Sequence, residues 1–196
     1  MSEHLRDLYK SKRYEDAEDK GSTWLKEHAA KIAKRDEKPD EAVERRAVRR
    51  WTLASRLELL KIPDRWRDYQ AFHRKLSQMH GEALPELAEE AKRLEARAYY
   101  RSETLSTESV RAHQEFRARY PKSDMRSSSR RKEALIAVAR ALSTKSLEAI
   151  GEFRRKYAGF EEAKGPIAKA RQVEAELAYE VARKDDSVER YRWFLA

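Results

Sequence analysis

The chain has no cysteine, only five glycines and five prolines in 196 residues, and no long run of apolar side chains. Without cysteine there is no disulfide, no thiolate zinc site and no cysteine nucleophile. Five glycines are too few to turn the corners of an all-β sandwich or to build a phosphate-cradling loop. No stretch approaches the ~18 apolar residues of a membrane-spanning helix. The first ten residues, MSEHLRDLYK, lack the apolar centre of a signal peptide. That favours a cytoplasmic location and leaves the periplasm open to a chain whose signal has been removed. The residues of catalysis are equally sparse. His4, His28, His73, His80 and His113 are scattered, and no metal-binding spacing, nucleophile motif or distinctive carboxylate pair accompanies them. The expectation is a non-enzymatic chain with no cofactor and no metal.

What is abundant is Ala, Arg, Glu, Lys and Leu, the composition of long helices. Within it runs a repeat. Leu105-Ser106-Thr107-Glu108-Ser109-Val110 returns 37 residues later as Leu142-Ser143-Thr144-Lys145-Ser146-Leu147. The same apolar steps follow each: Val110, His113, Phe116, Tyr120, then Leu147, Ile150, Phe153, Tyr157. Steps of three and four keep such side chains on one face of a helix. Trp66, Tyr69, Phe72 and Leu76 repeat the spacing upstream, and Val188, Tyr191 and Phe194 repeat it downstream. Tyr14, Ala17, Lys20 and Trp24 form a weaker copy interrupted by a lysine. Each of these stripes has an Ala/Leu-rich helical stripe before it, such as Leu135, Val138 and Leu142, or Ala170, Val173, Leu177 and Val181.

The pattern predicts an all-α chain of ten helices in five antiparallel hairpins. Their expected spans are 2–11, 14–35, 40–61, 64–80, 84–101, 106–120, 127–142, 144–157, 163–183 and 186–196. Ser106, Ser143 and Asp186 are the expected N-caps. Phe72, Phe116 and Phe153 should be buried, with His73, Arg117 and Arg154 beside them exposed. Residues 1–83 read as irregular helical hairpins and 84–196 as helical repeats. The last helix would end on Trp193, Phe194 and Leu195, which predicts continuation beyond residue 196 or coverage by another chain.

AHQEFRARYPKS and AIGEFRRKYAGF, each behind an Ala/Leu-rich helix, resemble bacterial tetratricopeptide-like repeats. In those a hairpin's second helix ends in a Phe-x-x-x-Tyr-Pro-x-Ser pattern, which Phe116, Tyr120, Pro121 and Ser123 match. Phe153 and Tyr157 match it without the proline. Similar repeats occur in envelope-assembly lipoproteins and in regulatory arms of caspase-like proteases. The resemblance implies an α-solenoid with a right-handed superhelix, a scaffold role and no catalytic residue.

The formal net charge is +9 and two basic features stand out. Arg45, Arg46, Arg49 and Arg50 form two i,i+4 pairs on one helix. Lys122, Arg126, Arg130, Arg131 and Lys132 surround the run Ser127-Ser128-Ser129. They lie in a stretch, 111–156, with thirteen Lys/Arg against five Asp/Glu. Arginine favours carboxylate and phosphate oxygens, although solvated helix faces partnered by Glu41, Glu44 and Glu133 would look the same. The functional expectation is a protein-protein scaffold or the regulatory arm of a larger protein. Its partner would be an acidic protein surface or a segment of the same longer chain. The alternative is a basic module for nucleic acid or phosphorylated partners, which would need exposed stacking aromatics.

Overall fold

The computed structural model describes residues 1–29, 39–79 and 84–185. Among these residues there are nine α-helices and no strand. They are α1 (Ser2–Lys10), α2 (Tyr14–Glu27), α3 (Pro39–Leu60), α4 (Trp66–Ser77), α5 (Pro85–Tyr99), α6 (Val110–Arg119), α7 (Arg126–Ser143), α8 (Leu147–Tyr157) and α9 (Lys164–Asp185). A π-helical turn, Tyr100–Thr104, and a 3₁₀ turn, Glu161–Ala163, complete the set. The all-helical expectation holds. Nine helices stand where ten were expected, because the span 186–196, with its Asp186 cap, lies outside the described residues. So does 30–35, the end of the expected second helix.

The chain forms two compact units, Met1–Tyr99 and Tyr100–Ala196. Residues 84–99, which the sequence groups with the downstream repeats, therefore belong to the first. The boundary falls where α-helical bonding passes into the π turn.

In the first unit α3 is the central element and packs against α1, α2, α4 and α5. Among the described residues it runs from Pro39, with Asp40 and Glu41 in its first turn. Its 22 residues serve two cores. Val48 joins Leu5, Leu8 and Ala17, with Trp24 and Trp51 at the edge. Leu53 and Leu57 join Tyr69, Phe72, Leu76, Ala91 and Ala98. On α2 Ala17 and Gly21 are buried, Tyr14 and Trp24 are half-buried, and Lys20 is exposed. Gly21 faces α3 so closely that an added Cβ would lie 1.8 Å from Thr52 Oγ1. The absence of a side chain is what sets this crossing distance.

In the second unit α7 packs against α6, α8 and α9. Phe116, His113 and Tyr120 are buried on α6 and its end, and Phe153, Ile150 and Tyr157 on α8, as the repeat predicts. Phe72 is buried likewise. The N-caps differ from expectation. Ser109 Oγ accepts from Ala112 N at 3.3 Å, and Ser146 Oγ accepts from Ala149 N at 3.3 Å. Ser106 and Ser143 lie one helical turn too early to cap. The intervening residues keep the chain in a tight turn, where Thr107 Oγ1 donates to Thr104 O and Thr144 Oγ1 donates to Ala141 O. These contacts are 37 residues apart, so the two joints are built alike.

Interhelix turns are made with few glycines. Lys12, Asp64 and Lys145 take φ values of 59°, 47° and 52°, a left-handed backbone uncommon for side-chain-bearing residues.

Candidate functional site

Arg45, Arg49, Thr52, Leu53 and Arg56 occupy α3 at steps of four, three, one and three, and therefore form one stripe. That stripe floors a cleft of about 480 Å³. One wall is α2 through Glu18, Ser22 and Leu25; the other is Lys75 on α4 with Met79 just beyond it. Four cations and one carboxylate thus line the cleft. Arg56 Nη1 donates to Glu18 Oε1 at 2.5 Å, tying floor to wall. Leu25, Leu53 and Met79 supply apolar surface between the charges.

The two arginine pairs of the sequence reading separate here. Arg45 and Arg49 reach the cleft. Arg50 donates to Glu86 Oε2 of α5 at 2.9 Å, and Arg46 is exposed outside the lining. Sequence reasoning passed over Arg56 and Lys75. Arg56 follows Arg49 by seven residues, a helical signal that was there to be read. Lys75 sits on another helix and gave none.

The second basic feature does not converge. Successive residues on a helix turn by ~100°, so Arg130, Arg131 and Lys132 leave α7 in three directions. The Arg130 guanidinium lies 4.3 Å from the Phe160 ring centroid, with Glu162 Oε2 at 4.0 Å. Arg126 Nη1 donates to Pro121 O at 2.5 Å, and Lys122 and Arg131 are exposed. Lys132 borders a separate groove with Leu135, Ala139 and Arg140. The serine run is part of α7's first turns. The Glu162 carboxylate accepts from its own backbone N–H and from Ser127, which holds it below the usual range.

Between α6, α7 and α8 lies a buried polar joint. Glu133, almost fully enclosed, accepts from Gln114 Nε2 at 2.9 Å, from Tyr157 OH at 2.8 Å and from Arg117 Nη2. Burial alone would raise the Glu133 carboxyl, but these donors outweigh it and its pKa falls. The Tyr157 hydroxyl is pushed up by burial and by the same carboxylate. Ser129 Oγ lies 3.3 Å from His113 Nδ1 and donates to His113 O, while Arg117 Nη1 donates to Ser129 Oγ. Among the described residues His113 Nε2 has no hydrogen-bond partner. Burial drives the His113 pKa down; nearby Glu133 opposes this, while Arg117 and Lys132 add to it.

The expectation that Arg117 and Arg154 are exposed is thereby corrected. The Arg117 side chain is only 15% exposed in its pair with Glu133, and Arg154 pairs with Glu174 of α9. His73, on α4, is only part-exposed. The cause of the arginine burial is geometric. The next long helix places a glutamate against the arginine that follows the core phenylalanine. A related contact in the first unit runs from Gln70 Nε2 on α4 to Glu95 Oε1 on α5 at 3.4 Å.

Among the described residues no group of three His, Cys, Asp or Glu could hold a metal ion, and no helix is long and apolar enough to cross a membrane. Comparison of the chain with models of known families, with curated proteins and with solved structures gives no match.

Proposed function

We propose that this chain is an α-solenoid of stacked helical hairpins, of the tetratricopeptide-like kind, that binds another protein or a segment of its own longer chain. One observation carries the reading. The joint made by Thr107, Ser109, Phe116 and Arg117 is built again 37 residues on by Thr144, Ser146, Phe153 and Arg154, and each arginine pairs with a glutamate of the next long helix, Glu133 and Glu174. Contacts two helices apart, α1 with α3, α3 with α5 and α7 with α9, support it further. Stacked hairpins place their first helices side by side in this way, and the surface they line is suited to extended or helical partners. Function on this reading is the presentation of a rigid surface, with no bond chemistry.

Binding of nucleic acid is the second reading, favoured by the net charge of +9. Against it, the repeat's aromatics are spent on the cores and the cations of α7 point in different directions. Affinity capture from the native cell, with and without nuclease, separates the two. Protein partners retained through nuclease are expected. Loss of every captured protein on nuclease treatment would move the function to nucleic acid.

A further inference from the structure

We propose that His113 is a proton-operated latch: uptake of one proton at its Nε2 frees α6 from α7, while α7, α8 and α9 stay packed together. The inference stands on the buried joint alone and does not depend on the scaffold reading.

The hydrogen bonds fix which nitrogen takes the proton. Ser129 Oγ has a single hydrogen and donates it to His113 O at 3.2 Å. It has none left for His113 Nδ1, 3.3 Å away, so Nδ1 carries the hydrogen and Ser129 Oγ accepts it. Arg117 Nη1 donates to the same oxygen at 3.3 Å. Nε2 is therefore the basic atom, and it is enclosed with no partner among the described residues. A proton placed there makes a buried cation whose new N–H finds no acceptor.

The surrounding elements do not supply that acceptor. Burial is the chief obstacle to the charge. From α7, Glu133 favours a cation but already accepts from Gln114, Arg117 and Tyr157 of α8, and Lys132 repels one. Arg117, on α6 itself, repels it too. The π turn offers only the ring of Tyr100, 6.2 Å away between centroids, whose hydroxyl is pushed up by burial and stays neutral in acid. The imidazolium is accommodated once His113 leaves its seat and meets water.

What moves is set by how each helix is held. α6 has ten residues and packs on α7 and the π turn. The core of Ala134, Val138, Ile150, Phe153, Tyr157 and Ala170 joins α7, α8 and α9 without a residue from α6. The Tyr157–Glu133 hydrogen bond also survives its departure. Opening is therefore local, and it uncovers Tyr100, Phe116 and Tyr120, which pack ring against ring. Each opening binds one proton. Below the ordinary imidazole value of about 6.5, the open fraction rises about tenfold per pH unit for as long as the closed form stays neutral.

The test uses the full chain. Nitrogen-15 NMR of the imidazoles at about pH 7.5, above the ordinary histidine range, should show His113 with Nδ1 protonated and Nε2 bare. Hydrogen exchange, corrected for its intrinsic pH dependence, should show α6 losing about tenfold in protection per pH unit below about pH 6, with α8 and α9 unchanged. His113→Asn keeps an N–H donor near the Nδ1 position and does not titrate, so its α6 protection should be independent of pH over that range. Should the variant fold poorly, the wild-type ring supplies the same measurement: in the closed form its carbon shifts should report a neutral imidazole at about pH 5.5. An Nε2–H tautomer at the higher pH overturns the inference. So does a ring protonated at the lower pH with α6 protection intact, or an unchanged pH slope in a folded His113→Asn protein. Loss of protection in α8 and α9 together with α6 would make the event global unfolding and overturn the latch.

Discussion

Arg117 and Glu133 lose most of their water when α6 meets α7, and the pair is tolerable only because each charge is met by the other and by further hydrogen bonds. Removing one partner strands the other. Glu133→Gln or Arg117→Met should each cost about 3–5 kcal/mol in chemical denaturation. The double variant should cost clearly less than the sum, because the second change removes the stranded group. Strict additivity would mean that the two side chains are not coupled. His113 beside them makes a pH prediction. Its folded pKa lies below the ordinary 6.5 because burial disfavours the imidazolium, with Glu133 opposing and Arg117 and Lys132 assisting. The stability of the neutral form is complete above about pH 6.5 and is lost as pH falls below it, since the unfolded chain then takes up a proton first. Amide protection in α6 and α7, corrected for the intrinsic pH dependence of exchange, should therefore fall below pH 6.5, and His113→Gln should flatten that dependence. An unchanged profile in the variant would remove His113 as the cause.

At the scale of the element, the second serine of each LSTxS segment starts the helix. Ser109→Ala and Ser146→Ala should each lower stability by about 1 kcal/mol, the usual cost of losing a side-chain cap. Ser106→Ala, one turn earlier, should be nearly silent. Equal effects at Ser106 and Ser109 would place the cap wrongly. The crossing of α2 on α3 makes the opposite kind of demand, for space. Gly21→Ala gains helix propensity of about 1 kcal/mol. The new methyl would nevertheless overlap Thr52 Oγ1 and crowd Leu5, an overpacking that costs about 1–3 kcal/mol. Net destabilisation is expected, partly recovered by Thr52→Ala. A Gly21→Ala protein more stable than wild type would show that the helices can move apart freely.

For the molecule as a whole, the proposed array of hairpins has a measurable consequence. A compact globule of this length would have a radius of gyration near ~16 Å. Hairpins stacked in a row cannot close on themselves so tightly, and solution scattering should give a value clearly above that figure. A value at or below it would favour a closed bundle and withdraw the solenoid.

Helix class and core phase were legible in the sequence because both are properties of one segment at a time. Three- and four-residue steps placed Phe72, Phe116 and Phe153 inside, and the scarcity of glycine left helices as the economical structure. The 37-residue echo between residues 105–110 and 142–147 showed that two joints share a design. What tertiary structure decided was convergence. Whether Arg117 faces water or Glu133 depends on how near α7 comes. Arg45 and Arg49 could be paired from their spacing, but Lys75 joins them only because α4 stands beside α3, a placement set by the packing of Leu53, Leu57, Tyr69 and Phe72. Lys122, Arg126, Arg130, Arg131 and Lys132 look like one patch in a linear sequence, yet the ~100° turn per residue of α7 disperses the three that are consecutive or nearly so. Periodicity along one helix is written in the residues themselves, whereas the meeting of side chains from different helices follows from crossing distance and rotation, which only the folded chain possesses.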